Sequence, residues 1–583
     1  MRSIVLRLIL ATFLLIVGVL ISAYFYLKGN VPSLPEEQVF IHGNILTMNG
    51  NNSIVEAMIL RGSQIEFLGS TEEVLKLKGA TSRIYDLQGK TLVPGFIDAH
   101  GHFPGTGLRA VGIDLSSPPL GNVTSVADIQ QKLEAKLATL DDGEWLFGFG
   151  YDDSLLKEHR HPNRHDLDAV STEHPIFLLH SSGHMALVNS AGLVLANISR
   201  ETPDPEGGVI GRNSDSGEPN GLLQEHATDL AASLAMDFSP SDFLAMVDDA
   251  SQAYLAAGVT TVQSGGVDQS LFSGLRWLSK LQRIPQRVVV WPLSAEMSST
   301  LLKDDFSLSD IETDKFSATA VKIIVDGSIQ GYTAFLSEPY FRQPEEEAAD
   351  YRGFARVSQQ QLDVEVQGYY CRGYQIALHG NGDAAIQMIL DAVEKARGQC
   401  ARRDTRTILV HSQMARVDQL RRMKDLEISP SFFVAHTYFW GDRHRDQFLG
   451  PQRAARISPL QDALSDDLRF TLHLDSPVVP MDVGRLMWSA VTRQTRSGSA
   501  LGGDQRITPL QALRGVTIDA AWQSFKEKNI GSLEVGKQAD FVLLDRNPLG
   551  KNSDLLNFKV EKVWIGGRCY FELGSRHCSF AAK

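Results

Sequence analysis

The chain has 583 residues, of which 43% are hydrophobic and 21% charged, and its formal net charge is −13. This length exceeds one ordinary domain but accommodates a large barrel with a smaller companion. No block rich in lysine and arginine occurs. Because phosphate binding needs a concentrated basic surface, a nucleic-acid partner is not expected. No repeat with a period of roughly 20 to 50 residues is visible, which argues against a solenoid or a propeller.

The first 28 residues differ from the rest of the chain. An uncharged run from Leu8 to Leu27 follows Arg2 and Arg7 and precedes Lys28. At about 1.5 Å per residue, a helix of this length crosses a hydrocarbon core of ~30 Å. The positive-inside rule then predicts a single-pass membrane protein with a cytoplasmic N-terminus and an exported, periplasmic or extracellular, catalytic domain. The alternative is a signal peptide cleaved after Ala23, which would release a secreted protein.

The four cysteines contain no CxxC pair, so a cysteine zinc site is not expected. Cys569 and Cys578 lie close enough in the chain to bridge a hairpin in an oxidising compartment. Two reduced thiols are the alternative.

Strand patterns occur near both ends of the chain. In the region 29–93, short apolar runs are separated by glycine and asparagine, which is typical of a meander. After a helix, the region 494–583 returns to the same patterning at Ala539 to Leu544, Val560 to Ile565 and Gly567 to Phe571. We therefore predict one small β-sandwich, of which 29–93 forms the first part and 494–583 the second.

Between 94 and 493, short apolar runs alternate with amphipathic helical patterns, which is typical of βα units around a parallel sheet. One helix is predicted from an N-cap at Ser239 and a proline at 240 to an end at Gly258. Counting strands near Phe96, Ile176 and Val288, roughly eight units fit this region. We predict an α/β protein built on a (β/α)₈ TIM-type barrel, with insertions at about 103–175 and 189–240.

Six polar residues lie on or at the ends of the predicted barrel strands. His100 and His102 are two apart in a strand, so they face one side and can bind a single ion. Lys322 is flanked by apolar residues, and burial there should lower its pKa. The remaining candidates are His379, His411 and Asp475. Because barrel enzymes carry catalytic groups at the C-terminal strand ends, we expect these residues to form one site.

The order HxH, Lys, His, His, Asp along a barrel resembles the binuclear amidohydrolase superfamily. The chain is most similar to the amidohydrolase-3 branch, which includes N-substituted formamide deformylases. The resemblance covers nearly the whole chain after the predicted anchor. Its motifs are Pro94 to His102, Gly148 to Asp152, Ser182 to Ala186, Asp326 to Ser328 and Gly536 to Phe541.

The resemblance implies a metal-binding hydrolase with one or two divalent ions, zinc before manganese, iron or cobalt. His100 and His102 would hold the more buried metal, and His379 and His411 the more exposed one. A carboxylated Lys322 would bridge the two. Because this lysine varies among relatives, a mononuclear site stays open.

Asp475 would bind metal and move a proton while a metal-activated water attacks a non-peptide C–N bond of an amide, formamide or carbamate-like group. Two residues depart from the family pattern: Val410 replaces a glutamate, and His473-Leu474 replaces Gly-Ser. Alternatives are an esterase or isomerase that uses the same metal site, and a non-catalytic binding or regulatory relative. The expected partner is a small-molecule substrate, and a homodimer is compatible with the sequence.

The resemblance also makes His184 a candidate substrate contact, with Tyr151 and Glu225 as further candidates. The alternative for all three is an ordinary role in ordering loops. Proline and arginine interrupt a local histidine cluster, so we interpret it as a solvated loop: His159, His161 and His165.

Overall fold

A computed structural model describes residues 22, 24, 26–303, 305–344, 348–401, 403–551, 554–575 and 578. The predicted membrane span, Leu8 to Leu27, lies almost entirely outside these residues and stays a prediction. In the part of the chain that is described, no helix is long and apolar enough to cross a membrane.

The N-terminal strands belong to two small sheets. In chain order the elements are β1 (Glu37–Ile41), β2 (Asn44–Leu46), β3 (Ile54–Val55), β4 (Ala57–Arg61), β5 (Gln64–Gly69), α1 (Thr71–Leu77), β6 (Arg83–Asp86) and β7 (Thr91–Pro94). One sheet has the strand order β5-β4-β1-β6, whereas β7, β2 and β3 form one edge of the second sheet.

The next segment contributes the first barrel strand and then forms a separate sheet. Its elements are β8 (Phe96–Ile97), a 3₁₀ helix (Gly105–Ala110), β9 (Ile113–Asp114), α2 (Val126–Leu137), β10 (Leu146–Tyr151), a 3₁₀ turn (Asp153–Leu155), α3 (Arg164–Asp168), β11 (Ile176–His180), β12 (Met185–Val188), α4 (Ser190–Leu195), β13 (Gly208–Arg212), β14 (Pro219–Glu225) and α5 (His226–Ala235). Strands β9 to β14 form a six-stranded sheet, the insertion sheet, with the order β13-β14-β12-β11-β10-β9.

The assignment of the strand near Ile176 to the barrel was wrong. β11 pairs with β10 and β12 in the insertion sheet. Its two faces pack into different buried clusters, Phe177 into one and Ile176 with Leu178 into the other. A strand buried on both faces is apolar throughout, so its sequence looks like that of a barrel strand.

The rest of the barrel follows in regular alternation. Its elements are α6 (Pro240–Ala256), β15 (Val259–Val267), α7 (Gln269–Lys280), β16 (Arg287–Pro292), α8 (Ser294–Leu301), a 3₁₀ turn (Leu308–Ile311), β17 (Phe316–Ala318), β18 (Ala320–Ile324), α9 (Gln359–Arg372), β19 (Gln375–Gly380), α10 (Asp383–Gln399), β20 (Ile408–His411), α11 (Val417–Leu426), β21 (Ser429–Phe432), α12 (His436–Phe439), α13 (Gly441–Arg443), a π turn (His444–Phe448), α14 (Gly450–Ala454), α15 (Leu460–Ser465), β22 (Thr471–Leu472) and α16 (Val483–Thr492).

The helix predicted from Ser239 is confirmed as α6. The Ser239 side chain accepts a hydrogen bond from the main-chain nitrogen of Asp242, whose carboxylate completes a capping box. The predicted inward residues are all buried: Leu244, Val247, Ser251, Tyr254 and Leu255.

Parallel strands close into a TIM-type barrel, as predicted. β17 and β18 are separated by one residue and occupy a single position, so the described strands fill eight positions: β8, β15, β16, β17–β18, β19, β20, β21 and β22. Leu293 bridges to Lys322 between β16 and β18. On the other side, the Asp475 nitrogen donates to the His100 oxygen at 3.2 Å, and the His102 nitrogen donates to the Ser476 oxygen at 2.8 Å. The barrel therefore closes beside the candidate site residues.

The C-terminal strands complete the second small sheet. The last elements are a 3₁₀ turn (Gly503–Gln505), α17 (Pro509–Gly515), α18 (Ile518–Gln523), β23 (Phe541–Leu544), α19 (Asp554–Asn557), β24 (Val560–Ile565) and β25 (Arg568–Glu572). β23 pairs antiparallel with β7. The two sheets share one apolar core, in which the Phe40 ring meets the Phe541 ring edge-on at 5.2 Å and Trp564 stacks on Phe541 at 4.9 Å.

All four cysteines lie in disulfides. Cys569 pairs with Cys578, which the sequence left open, and Cys371 pairs with Cys400, which it did not indicate. The second bond joins the end of α9 to the residue after α10, with the two Cα atoms 5.2 Å apart.

Candidate active site

The six predicted metal-site residues meet in one cavity at the C-terminal end of the barrel. The cavity has a volume of about 1130 Å³ and is lined by all six side chains. They come from five regions of the barrel, and all are buried except His102: His100 and His102 after β8, Lys322 in β18, His379 in β19, His411 at the end of β20, and Asp475 after β22.

The Asp475 carboxylate lies at the centre of the group. Its Oδ1 is 3.4 Å from His100 Nε2 and 3.2 Å from His102 Nε2, and its Oδ2 is 3.9 Å from His411 Nε2. Lys322 Nζ is 3.1 Å from His100 Nε2. Five residues from distant parts of the chain thus place polar atoms within a few ångströms of one another.

The imidazoles of His100 and His102 are oriented by acceptors behind them. His100 Nδ1 is 3.1 Å from Gln263 Oε1, which also accepts from the Gly101 nitrogen at 2.8 Å. His102 Nδ1 is 2.8 Å from the main-chain oxygen of Gly265. Because an oxygen of this kind can only accept, both rings carry their proton on Nδ1. The lone pair of His102 Nε2 therefore faces Asp475, and that of His100 Nε2 faces both Asp475 and the nearer Lys322 Nζ.

His379 is oriented in the same way by a carboxylate. Its Nδ1 is 3.1 Å from Asp326 Oδ1, and its ring lies 4.5 Å from the His411 ring. Burial raises the pKa of Asp326 to about 7, against the opposing effect of main-chain donors. Those donors, which also fix the carboxylate, are the nitrogens of Phe335, Asn381 and Gly382.

A relay of hydrogen bonds orients His411, and the unusual His473 is part of it. Gln523 presents its carbonyl oxygen to Thr471 at 2.6 Å, because its amide nitrogen donates to a main-chain oxygen. The Thr471 hydroxyl thus gives its one proton to Gln523. The 2.7 Å contact between Thr471 Oγ1 and Ser431 Oγ must then take its proton from Ser431. Ser431 is then free to accept from His473 Nδ1 at 2.8 Å. His473 Nε2 accepts from His411 Nδ1 at 3.1 Å, which leaves His411 Nε2 unprotonated.

Burial also favours the neutral forms that ligands need. It lowers the pKa of His100, His379 and His411 well below the ordinary value. Burial lowers the pKa of Lys322 to about 7. The pKa of Asp98 rises to about 8, because the side chain is buried and lies near the negative charge of Asp475.

The residues present fit a divalent cation. Asp475 Oδ1 is buried and accepts no hydrogen bond from any described residue, although two imidazole nitrogens lie within 3.4 Å of it. The ligand atoms of His100, His411 and Asp475 all lie within 4.8 Å of one another. Unprotonated imidazole nitrogens around a carboxylate oxygen repel each other unless a cation lies between them, and this donor set suits zinc and its neighbours.

Three residues outside the predicted ligand set lie on barrel strands next to the site. The Trp291 ring, at the end of β16, stacks on His100 with ring centres 5.1 Å apart. Val410, which replaces the family glutamate, packs in the same buried cluster as Trp291. Gln263 lies in the buried strand β15 beside Thr260, Thr261 and Ser264, so no contrast within the strand indicated its role.

The predicted substrate contacts differ in their placement. His184 lines the cavity, and its Nδ1 is 2.9 Å from Glu225 Oε2. Glu225 is buried behind it and does not line the cavity. Tyr151 is not brought to the cavity, because its ring is fully buried against His161 and His180.

A second cluster of histidines and carboxylates, the Asp153 cluster, lies in the insertion sheet. It consists of Asp152, Asp153, His161 and His180. His180 Nε2 is 3.1 Å from Asp153 Oδ1, and Arg443 donates to both oxygens of Asp152. His159 and His165 are exposed, as the solvated-loop interpretation expects, whereas His161 is half-buried with its Nδ1 3.3 Å from the Tyr151 hydroxyl.

The profile of the amidohydrolase family matches residues 83–571. The chain belongs to the amidohydrolase family. This amidohydrolase is 29% identical over 544 residues to the N-substituted formamide deformylase of Arthrobacter pascens, covering 92% of this chain and 98% of that one. It is 28% identical over 547 residues to the putative amidohydrolase YtcJ of Bacillus subtilis, covering 91% and 98%.

Among solved structures, an uncharacterised metal-dependent hydrolase from Pyrococcus horikoshii OT3 matches the amidohydrolase with a TM-score of 0.70 and 23% identity, over 89% of this chain and 99% of that one. The family predicted from the motifs is therefore confirmed. Amidohydrolases are hydrolases that use divalent metal ions.

Proposed function

We propose that this amidohydrolase hydrolyses a non-peptide C–N bond in an amide, formamide or carbamate-like substrate. The observation that carries the proposal is the convergence of unprotonated imidazole nitrogens on the unpartnered Oδ1 of Asp475. The name of the Arthrobacter relative supports a C–N bond outside a peptide.

The metal would be held by two pairs of histidines, His100 with His102 and His379 with His411, together with Asp475. We propose one or two divalent ions, zinc first, because imidazole and carboxylate donors suit it. When bound, such ions lower the pKa of a coordinated water toward neutrality and polarise a carbonyl oxygen.

We propose that a carboxylated Lys322 bridges the two histidine pairs. Its support is positional: the amine is buried on β18, next to the β19 strand of His379, and lies 3.1 Å from His100. An amine that adds CO₂ gives a carbamate and releases a proton, which turns a buried cation into an anionic oxygen ligand.

Asp475 would carry the proton between the two halves of the reaction. Its carboxylate accepts a proton from the attacking water and returns it to the departing nitrogen, which would otherwise leave as a poor anion. An amide nitrogen needs this proton more than an ester oxygen does. The position of Asp475 therefore favours cleavage of C–N bonds.

The test is product analysis with a panel of amides, formamides, carbamates and esters on zinc-loaded protein. Asp475→Asn keeps the shape but cannot move the proton, so kcat on the best amide should fall by ~10²–10⁴-fold. The exposed Asp215→Asn is the matched control and should leave kcat unchanged. Turnover of esters alone, or an Asp475→Asn variant with unchanged kcat, would contradict the proposal.

We also propose that the catalytic part, with 94–493 as the barrel and both flanking regions as the sandwich, is exported and anchored by residues 1–28. The two disulfides support an oxidising compartment. The Gly29 nitrogen donates to the Leu281 oxygen, and Arg283 donates to the Tyr26 oxygen. The loop that contains Leu281 and Arg283 precedes β16, so the anchor would meet the barrel at the end opposite the cavity.

A further inference from the structure

Three polar residues form a group next to the ring of metal-site residues, and two of them, His184 and Arg356, line the cavity. His184 lies in the insertion sheet just before β12, and Glu225 is the last residue of β14, which pairs with β12. Arg356 lies beyond β18, and its main-chain nitrogen donates to the Val325 oxygen. Glu225 Oε2 joins the other two, at 2.9 Å from His184 Nδ1 and 3.2 Å from Arg356 Nη1.

Glu225 is held in place by its backbone as well as by its partners. Its nitrogen donates to the His184 oxygen at 2.8 Å. Its φ of 51° and ψ of −127° are rare for a residue other than glycine, and such conformations persist only where the surroundings enforce them. Burial alone would raise the pKa of Glu225, but His184 and Arg356 lower it overall, so the group is an ionised carboxylate.

An ionised carboxylate can only accept hydrogen bonds, so His184 must carry a proton on Nδ1. In the neutral ring, Nε2 is then a free acceptor. No hydrogen bond to this Nε2 comes from the described part of the chain, and the side chain is 16% exposed, within the cavity lining.

His184 stands at one end of a row of reactive groups. Its ring lies 5.2 Å from the His379 ring, which lies 4.5 Å from the His411 ring, whose Nε2 is 3.9 Å from Asp475 Oδ2. A carbonyl carbon that reacts beside the two central histidines would therefore have Asp475 on one side and His184 on the other.

We infer, on the basis of the proposed function, that His184 Nε2 accepts a hydrogen bond from the N–H of the scissile amide. Glu225 and Arg356 are positioning residues that fix this acceptor. With the N–H directed to His184, the opposite side of the nitrogen is turned to Asp475, which delivers the proton. The substrate class is thus an amide that keeps at least one N–H.

An N,N-disubstituted amide would place a methyl group against the Nε2 lone pair. An acceptor in the cavity that loses its hydrogen-bond partner lowers kcat/KM. Sites built to bind an N–H or O–H discriminate strongly against analogues that lack it. We expect the wild type to prefer the N–H substrate by at least ~10-fold.

The test compares kcat/KM for N-(2-phenylethyl)formamide and its N-methyl derivative on zinc-loaded protein. In His184→Ala the preference should fall to within about 2-fold, because no acceptor remains. In Glu225→Gln the amide can donate to Nδ1 and so move the ring proton to Nε2, which should also abolish the preference. The half-buried neighbour His226, whose Nδ1 contacts the Glu206 oxygen and not Glu225, provides the control: His226→Ala should keep the wild-type ratio.

The ratio separates a specific role from a structural one, since a loss of folding or of metal affects both substrates alike. If the wild type shows no preference, or if His184→Ala retains it, the inference is overturned. If the wild type hydrolyses neither compound, the proposed function fails for this class, and the same pair is compared by calorimetric binding. Preferential binding of the N–H compound that disappears in His184→Ala supports the inference, and equal binding by the wild type overturns it.

Discussion

The cavity cluster around Asp475 and the Asp153 cluster contain the same residue types but differ in how their ligand atoms are satisfied. In the cavity, His100, His102 and His411 use Nδ1 for a protein acceptor and turn Nε2 toward Asp475, whose Oδ1 has no donor among the described residues. In the Asp153 cluster, His180 Nε2 pairs with Asp153, and Arg443 occupies both oxygens of Asp152.

The ligand atoms of Asp152, Asp153 and His180 also lie within 4.8 Å of one another, so distance alone does not distinguish the two clusters. We propose that the difference in hydrogen bonding separates a metal centre in the cavity from a structural network in the insertion sheet. A histidine whose second nitrogen donates to a carboxylate has no lone pair left to bind a cation. An arginine that pairs with a carboxylate repels a cation. To recognise a metal site, the direction of the unprotonated imidazole nitrogen is therefore a stronger criterion than the proximity of histidine and aspartate. The predictions below test this distinction.

A methyl group added beside His100 should disturb only the cavity cluster. A Cβ at Gly265 would lie 2.4 Å from His100 Cε1, so Gly265→Ala must displace the ring that the metal requires. We expect zinc affinity to fall by ~10–100-fold, which titration against a chelator measures. Gly398→Ala, whose Cβ meets nothing within 4 Å, is the matched control and should bind zinc normally. Equal affinity in both variants would show that His100 is not a ligand.

Breaking the relay behind His411 should have a smaller effect. His473→Phe keeps an aromatic ring but removes the acceptor for His411 Nδ1, so the tautomer of His411 is no longer fixed. We expect zinc affinity to fall by about 10-fold, the lower end for the loss of an outer hydrogen bond. Chelator titration checks this, and circular dichroism checks folding. Unchanged affinity would mean that the relay does not orient a ligand.

The location of the site could be predicted because barrel topology brings strand ends together whatever their separation in the chain. His100 and Asp475 meet for that reason. The supports could not be predicted, since Gln263, Asp326 and Trp291 act through side-chain orientation, which depends on strand register and local bends. The strand Ile176–His180 was misassigned because burial on both faces removes the alternation that distinguishes sheets.

The pairing of Cys371 with Cys400 shows the same limit. The two residues are 29 positions apart, and only the packing of α9 on α10 brings them together. Tyr151, which the motif made a candidate substrate contact, is buried and does not line the cavity, so its position in a motif does not by itself indicate where its side chain lies.

A substitution in the Asp153 cluster should lower the stability of the protein and leave its metal content unchanged. Asp153→Ala leaves His180 Nε2 without its acceptor in a buried position. We expect the free energy of unfolding to fall by about 1–3 kcal/mol, measured by denaturant titration of the apoprotein. Zinc binding should be unchanged. A loss of zinc in this variant would show that the cluster is a metal site.

The most direct measurement is the metal content of His100→Ala and His180→Ala beside that of the wild type, after identical loading with zinc and gel filtration. The two histidines are both buried, and both lie near an aspartate. If the direction of the unprotonated imidazole nitrogen determines which cluster binds metal, the wild type and His180→Ala retain the same one or two ions per chain, whereas His100→Ala loses metal. Retention of the full metal content by His100→Ala, or its loss from His180→Ala, would contradict the account.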